Sequence, residues 1–221
     1  MMKIYALNYA YSVLPEDSVF KGGSPENYVP ISFLMYLIKT EDKIILVDAG
    51  CETLGGFEMK DLISPRKAVE NTGVSADDIT DLIITHSHHD HIACARYFKN
   101  ATVYIQNDEY EQGKRYLKES KRVVTFDDKY TICDGVEVIK IGGHSIGSCI
   151  VEIDAGEKTY VITGDECYSR RCLDEHICAG APYSVENNQK FIEKYSDTDK
   201  YVSLVSHDPD YQSEYKVPYS E

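Results

Sequence analysis

A mixed α/β fold of the α+β kind, in one domain over residues 1–221, is what the sequence predicts, on three observations. Short apolar runs recur, at 31–38, 43–47, 82–84, 159–163 and 201–205, each the length of a buried strand. Segments of helical character lie between them, at 59–71, 108–120 and 186–195. Asp48, His86, Asp165 and His207 each follow such a run, and His144 follows the alternating strand Val136–Ile141. Strand ends on one edge of a sheet bring such residues together on a rigid scaffold.

Taken in order, Lys3 to Ala10 has strand character, and Pro15 to Pro30 reads as a polar loop rich in Gly and Pro. Ile31 to Ile38 is a buried strand, with Glu41-Asp42 as the turn to Lys43–Val47. That strand runs into Asp48-Ala49-Gly50, where the glycine permits a sharp bend. Met59 to Asn71 reads as a helix despite Pro65, stopped by Gly73. Ser75 caps a short helix ahead of Leu82-Ile83-Ile84, and Ala93 to Phe98 forms another. Thr102–Ile105 is a strand and Asp108–Ser120 a helix whose basic end suits the macrodipole. From Thr125 short strands follow: Val136–Ile141, then Ser148–Ile153 and Thr159–Thr163 paired around Asp154-Ala155-Gly156. Glu186–Tyr195 is a helix and Tyr201–Val205 the last strand.

Composition narrows the class. Hydrophobic residues at 43% and charged residues at 27% are ordinary globular values. The net charge of -14 argues against a nucleic-acid partner and against an anionic membrane surface. The opening Met1–Tyr9 has no long apolar core, so neither a signal peptide nor a membrane span is expected. The odd count of seven cysteines fits reduced thiols and a cytoplasmic location. Cys167, Cys172 and Cys178 cluster without a CxxC pair and leave a zinc–thiolate site open.

The chemistry sits in Thr85-His86-Ser87-His88-His89-Asp90-His91. Imidazoles and a carboxylate at a strand end suit zinc or a similar borderline metal. Two-residue spacing turns His86 and His88 to one side of an extended segment. His86, His88 and His144 make a three-nitrogen site with an open position, and Asp90, His91 and His207 a second, more oxygen-rich one. Asp165 is the natural bridge, one oxygen to each of two divalent metals about 3.5–4 Å apart. Zinc comes first; iron, manganese or cobalt also suit these donors. Water held there reaches a pKa of about 7 and yields a hydroxide able to attack a carbonyl.

These residues resemble the metal signature of the metallo-β-lactamase superfamily, over nearly the whole chain and with the motif regions in order. The resemblance implies a four-layer αββα sandwich with the metals at one edge of two sheets. It also makes Asp48 an aspartate that orients a ligand histidine. Within the superfamily the chain looks like the N-acyl homoserine lactone lactonases. Tyr168, three residues after Asp165, matches their tyrosine at the substrate carbonyl. Gly143-His144-Ser145-Ile146-Gly147 looks like their third metal loop, and His207-Asp208 with Lys216-Val217-Pro218-Tyr219 like their ending. Ile92-Ala93-Cys94 departs from a more glycine-rich segment, Ser148 stands where a non-ligand histidine is common, and Pro15–Pro30 matches no part of the pattern.

The expected function is therefore a two-metal hydrolase that opens a lactone ring of a small-molecule ester. Tyr168 steadies the oxyanion, and Asp90 or Asp165 relays the proton. His89 is expected at the entrance rather than on a metal, and His176 on the surface. Asp208 is either a supporting carboxylate or an exposed one. The rival readings are a thioester hydrolase resembling glyoxalase II and an iron-dependent oxidoreductase of the same fold. Monomer and homodimer both remain open.

Overall fold

The computed structural model describes residues 2–217. β1 (Met2–Pro15) and β2 (Tyr28–Lys39) form a long antiparallel pair, and β3 (Ile44–Val47) returns against β2. β4 (Asp81–Ile84), β5 (Thr102–Gln106) and β6 (Arg122–Phe126) extend the sheet in parallel. Each parallel step needs a crossover, and the helical segments supply them. They are α2 (Pro65–Glu70), α3 (His89–Ile92) and α4 (Asn107–Gly113), while α1 (Glu16–Val19) lies within the antiparallel β1–β2 connection. The second sheet is the antiparallel run β7 (Lys129–Cys133), β8 (Val136–Lys140), β9 (Cys149–Asp154) and β10 (Thr159–Ile162). After α5 (Arg170–Asp174) and α6 (Val185–Tyr195), β11 (Tyr201–Leu204) pairs in parallel with β10. β12 (Glu214–Val217) then closes the edge beside β1. Sheet orders are β12-β1-β2-β3-β4-β5-β6 and β11-β10-β9-β8-β7.

Strand alternation divides the core in two. Leu34, Tyr36, Ile38, Ile45, Val47 and Ile83 face Val138, Val151, Ile153, Ile162 and Leu204 of the other sheet in one cluster. The alternate residues Phe33, Met35, Leu37, Leu46, Leu82 and Ile84 belong to a second cluster with Val69, Ile92 and Phe98. Ile150 and Val161, on the outer face of the second sheet, join Phe191, Ile192 and Tyr195 of α6. Helices thus cover both outer faces of two stacked sheets, the four layers expected, and central strands such as β2, β4 and β9 are buried on both sides. That is why β2 reads as an unbroken apolar run rather than an alternating one.

Direction places the chemistry. β3 and β4 are parallel, so Asp48 and His86 emerge together. β8 and β10 each run antiparallel to β9 and β11 runs with β10, so His144, Asp165 and His207 leave the second sheet at a shared edge.

Several elements differ from expectation. Residues 59–64 are not helical: α2 starts at Pro65, with the Ser64 hydroxyl accepting from the Lys67 amide at 3.2 Å. Proline favours the first helical position and pushes the residue before it out of the helical region, so Pro65 opens the helix. The predicted Asp108–Ser120 helix ends at Gly113 in a short 3₁₀ turn, Lys114–Tyr116. The 93–98 helix is a 3₁₀ turn over Ala95–Phe98. The 15–30 loop is shorter, because β1 runs to Pro15 and β2 starts at Tyr28, with α1 between. Arg122, just beyond the expected helix, opens β6. Pro218 and Tyr219 of the expected ending lie outside the described residues. Among those residues no helix is long and apolar enough to cross a membrane.

Candidate metal centre

Seven side chains converge at the shared edge as two groups, His86, His88, His144 and Asp165 in one and Asp90, His91 and His207 in the other. Within each group one donor atom per residue lies within 4.8 Å of the rest. The two groups meet at Asp165. Its Oδ1 stands 3.1 Å from Nε2 of both His91 and His207, while Oδ2 stands 3.6 Å from Nε2 of both His86 and His144. Asp90 Oδ2 lies 3.5 Å from His91 Nε2 and 3.7 Å from His207 Nε2. One carboxylate therefore faces each group with a different oxygen.

Local structure explains the convergence. Asp48 takes φ 64, a left-handed conformation uncommon outside glycine and tolerated best by Asn and Asp. It turns the carboxylate back over β4, where Oδ1 accepts from the Thr85 amide at 2.8 Å. Oδ2 lies 2.7 Å from Nδ1 of His91. The His207 Nδ1 lies 2.9 Å from the Ser32 carbonyl oxygen, and Thr85 Oγ1 lies 3.1 Å from His86 Nδ1. A donated Nδ1–H leaves the Nε2 lone pair of His91 and of His207 aimed inward.

The inward atoms have nothing to bond. Among the described residues, Nε2 of His86, His91 and His207, and Oδ1 of Asp165, are buried without a hydrogen-bond partner. Orphaned buried polar atoms are costly, and four together, all lone-pair donors, fit cations held by the site. The donor set supports two divalent metals.

Charge agrees. Burial, with His91 adding to it, holds the His86 imidazole well below its ordinary pKa; burial opposed by Asp165 brings His144 to about 4. Burial also pulls His91 down, but the Asp165, Asp48 and Asp90 carboxylates outweigh it and raise that imidazole. His207 likewise is raised against its burial, chiefly by Asp165. Asp165, which burial would neutralise, is kept ionised by His91, His207 and His86. Two imidazoles held neutral, His86 and His144, and two raised ones, His91 and His207, thus face an ionised carboxylate.

Tyr168 sits across both groups. Its ring stacks on His207 at 5.0 Å and meets His144 edge-on at 5.8 Å. Burial, then the Asp165 and Asp90 charges, raise its phenol well above the ordinary value, so the O–H stays protonated as a donor. A cavity of about 630 Å³ opens here, lined by His88, His144, Ser145, Tyr168, Gln112 and Tyr183 among others. Ser18, from the segment that matched no family pattern, forms part of its wall.

Other expected residues fall elsewhere. His89 turns away, its Nδ1 3.1 Å from the Tyr116 hydroxyl, and His176 is exposed. Asp208 is buried and accepts from the Arg170 amide at 2.7 Å, tying the His207 loop to α5. The cysteines join neither group. Sequence reading missed Glu109 and Glu166, two buried carboxylates behind the His144 loop. Glu166 Oε1 accepts from the Gly143 and His144 amides at 2.9 and 3.0 Å. Its place beside Asp165 after an apolar strand was the available signal; Glu109 offered none.

Comparison with known proteins agrees with this geometry. The profile of the metallo-beta-lactamase superfamily matches residues 34–207. N-acyl homoserine lactonase AiiA of Bacillus thuringiensis subsp. kurstaki is 24% identical over 201 residues, covering 79% of this chain and 80% of that protein. An N-acyl homoserine lactone hydrolase with N-hexanoyl-L-homoserine bound at its catalytic metal centre superposes with a TM-score of 0.79 at 22% identity. That match covers 94% of this chain and 93% of the other. AidC, a dizinc quorum-quenching lactonase, superposes with a TM-score of 0.76 at 18% identity over 100% and 95% of the two chains. At such identity these structures speak for the fold.

Proposed function

The chain belongs to the metallo-beta-lactamase superfamily, and from that premise we propose that it hydrolyses neutral lactones of the N-acyl homoserine type. One observation carries the reading: a protonated Tyr168 phenol spans both metal-holding groups inside a cavity without a cationic side chain. Among the described residues no Lys or Arg lines that cavity. An anionic thioester would find no counter-charge there, in a chain of net charge -14. A neutral ring ester with an amide arm meets hydrogen-bonding partners in Ser18, Gln112, Ser145 and Tyr183 instead.

Two divalent metals held by His86, His88, His144, Asp90, His91, His207 and Asp165 would acidify water and polarise the ester carbonyl. We assign zinc, which three imidazoles and a carboxylate suit. The protein groups do the rest. Tyr168 Oη–H donates to the carbonyl oxygen as negative charge builds on it. Water oxygen bonds to the carbonyl carbon, the bond from that carbon to the ring oxygen breaks, and the ring oxygen takes a proton. Asp90 is the better carrier of that proton, because its side chain is 17% exposed against 2% for Asp165. Both Asp165 oxygens already face histidines.

The test is a panel of N-acyl homoserine lactones, simple lactones, glutathione thioesters and phosphodiesters, run on zinc-, iron-, manganese- and cobalt-loaded protein. Lactone turnover with the highest kcat/KM of the panel is expected. No lactone turnover in any metal form retires the reading.

A further inference from the structure

The two halves of the centre are held differently. His91 and His207 are fixed through their outer ring nitrogens, by Asp48 and the Ser32 carbonyl. His144 has no such support: its Nδ1 is buried without a partner, and its Nε2 lies 2.9 Å from Nδ1 of His88. These two rings lean on each other, so their position depends on the loops that carry them.

Glu109 on α4 grips both loops with one carboxylate. Oε2 accepts from the Ser87 amide at 2.8 Å and its hydroxyl at 2.6 Å, between His86 and His88. Oε1 accepts from the Ser145 hydroxyl at 2.6 Å and the Gly147 amide at 2.9 Å, just beyond His144. The side chain is buried and no cation is among these partners. Burying an unpaired carboxylate is expensive unless several hydrogen bonds compensate it. The chain also clears space for the grip. A Cβ on Gly113 would come within 3.2 Å of Ser87 Cβ, and one on Gly147 within 2.9 Å of Glu109 Cγ.

We propose that Glu109 is a positioning residue for the His86, His88 and His144 half of the centre, holding its two loops at the separation that half needs to retain its metal. The proposal rests on the two-metal reading of the site and not on lactone chemistry. Outer partners of metal ligands typically change metal affinity about 10- to 100-fold, and Glu109 acts with that reach on one half only.

Zinc binding to chelator-stripped protein tests this, by metal analysis for stoichiometry and competition with a fluorescent chelator for stepwise affinity. His144→Ala and His207→Ala mark which equivalent belongs to which half. Glu109→Gln is expected to weaken the equivalent that His144→Ala loses, by about 10- to 100-fold, and to leave the other unchanged. Ser87→Ala/Ser145→Ala, which keeps the buried carboxylate, is expected to weaken the same equivalent and guards against misfolding of the first variant. Unchanged affinities, or equal weakening of both equivalents, overturn the proposal while the two-metal reading stands. Wild-type protein binding fewer than two equivalents overturns both.

Discussion

Asp48 holds His91 by its outer nitrogen, Oδ2 standing 2.7 Å from Nδ1, on a backbone turned to φ 64. The carboxylate decides which ring nitrogen carries the proton. Asp48→Asn keeps the shape, but an amide nitrogen presented to Nδ1 favours the opposite tautomer, with Nε2–H facing the site. A proton there blocks a ligand lone pair. Asp48→Asn is therefore expected to cost about 10- to 100-fold in affinity for one metal equivalent. Calorimetric zinc titration measures it, and wild-type affinity in the variant contradicts the role.

Asp165 reaches both groups, so its loss should not respect the division between them. In Asp165→Asn one oxygen becomes an NH₂, which cannot serve as a lone-pair donor. Both zinc affinities are expected to fall, and the orphaned Nε2 atoms on each side lose their facing charge. Two bound equivalents at wild-type affinity in Asp165→Asn would remove the bridge assignment.

Tyr168 offers a donor where an ester carbonyl would sit, and phenylalanine keeps its ring against His207 and His144. Loss of one oxyanion donor costs on the order of 10²–10³ in kcat. For Tyr168→Phe we expect a drop of that size in lactone kcat with zinc content unchanged. Equal kcat in the two proteins excludes the phenol from the reaction.

How far the sequence reveals this molecule depends on the range of the interaction. The His86–His91 stretch is legible because metal ligands need particular residue types at fixed spacing, and β2 because burial on both faces forces an apolar run. Asp165 and His207 could be found because each ends a strand. The start of α2 was misread although Pro65 and Ser64 carry it, since the apolar spacing across 59–64 suggests a longer helix. Glu109 is a different case. Its partners lie 22, 36 and 38 residues away, and within α4 it looks like any solvated helix glutamate. Only the fold brings Ser87, Ser145 and Gly147 to it.

That environment also sets a pH dependence. Burial would raise the Glu109 pKa, but hydrogen bonds from Ser145, Ser87 and the Gly147 amide outweigh it and leave the carboxyl lowered. A carboxyl lowered in the folded state adds stability above its unfolded pKa, about 4.3, and that stability is lost as pH falls through the folded value. Glutamine cannot accept at both positions, so Glu109→Gln leaves a buried donor unmatched and should cost about 1–3 kcal/mol at neutral pH. Urea unfolding of metal-stripped protein is expected to show that gap narrowing below about pH 4, as wild-type Glu109 itself becomes protonated. A gap that stays constant from pH 7 to acid contradicts an ionised, hydrogen-bonded Glu109 and leaves only a packing defect to explain the loss.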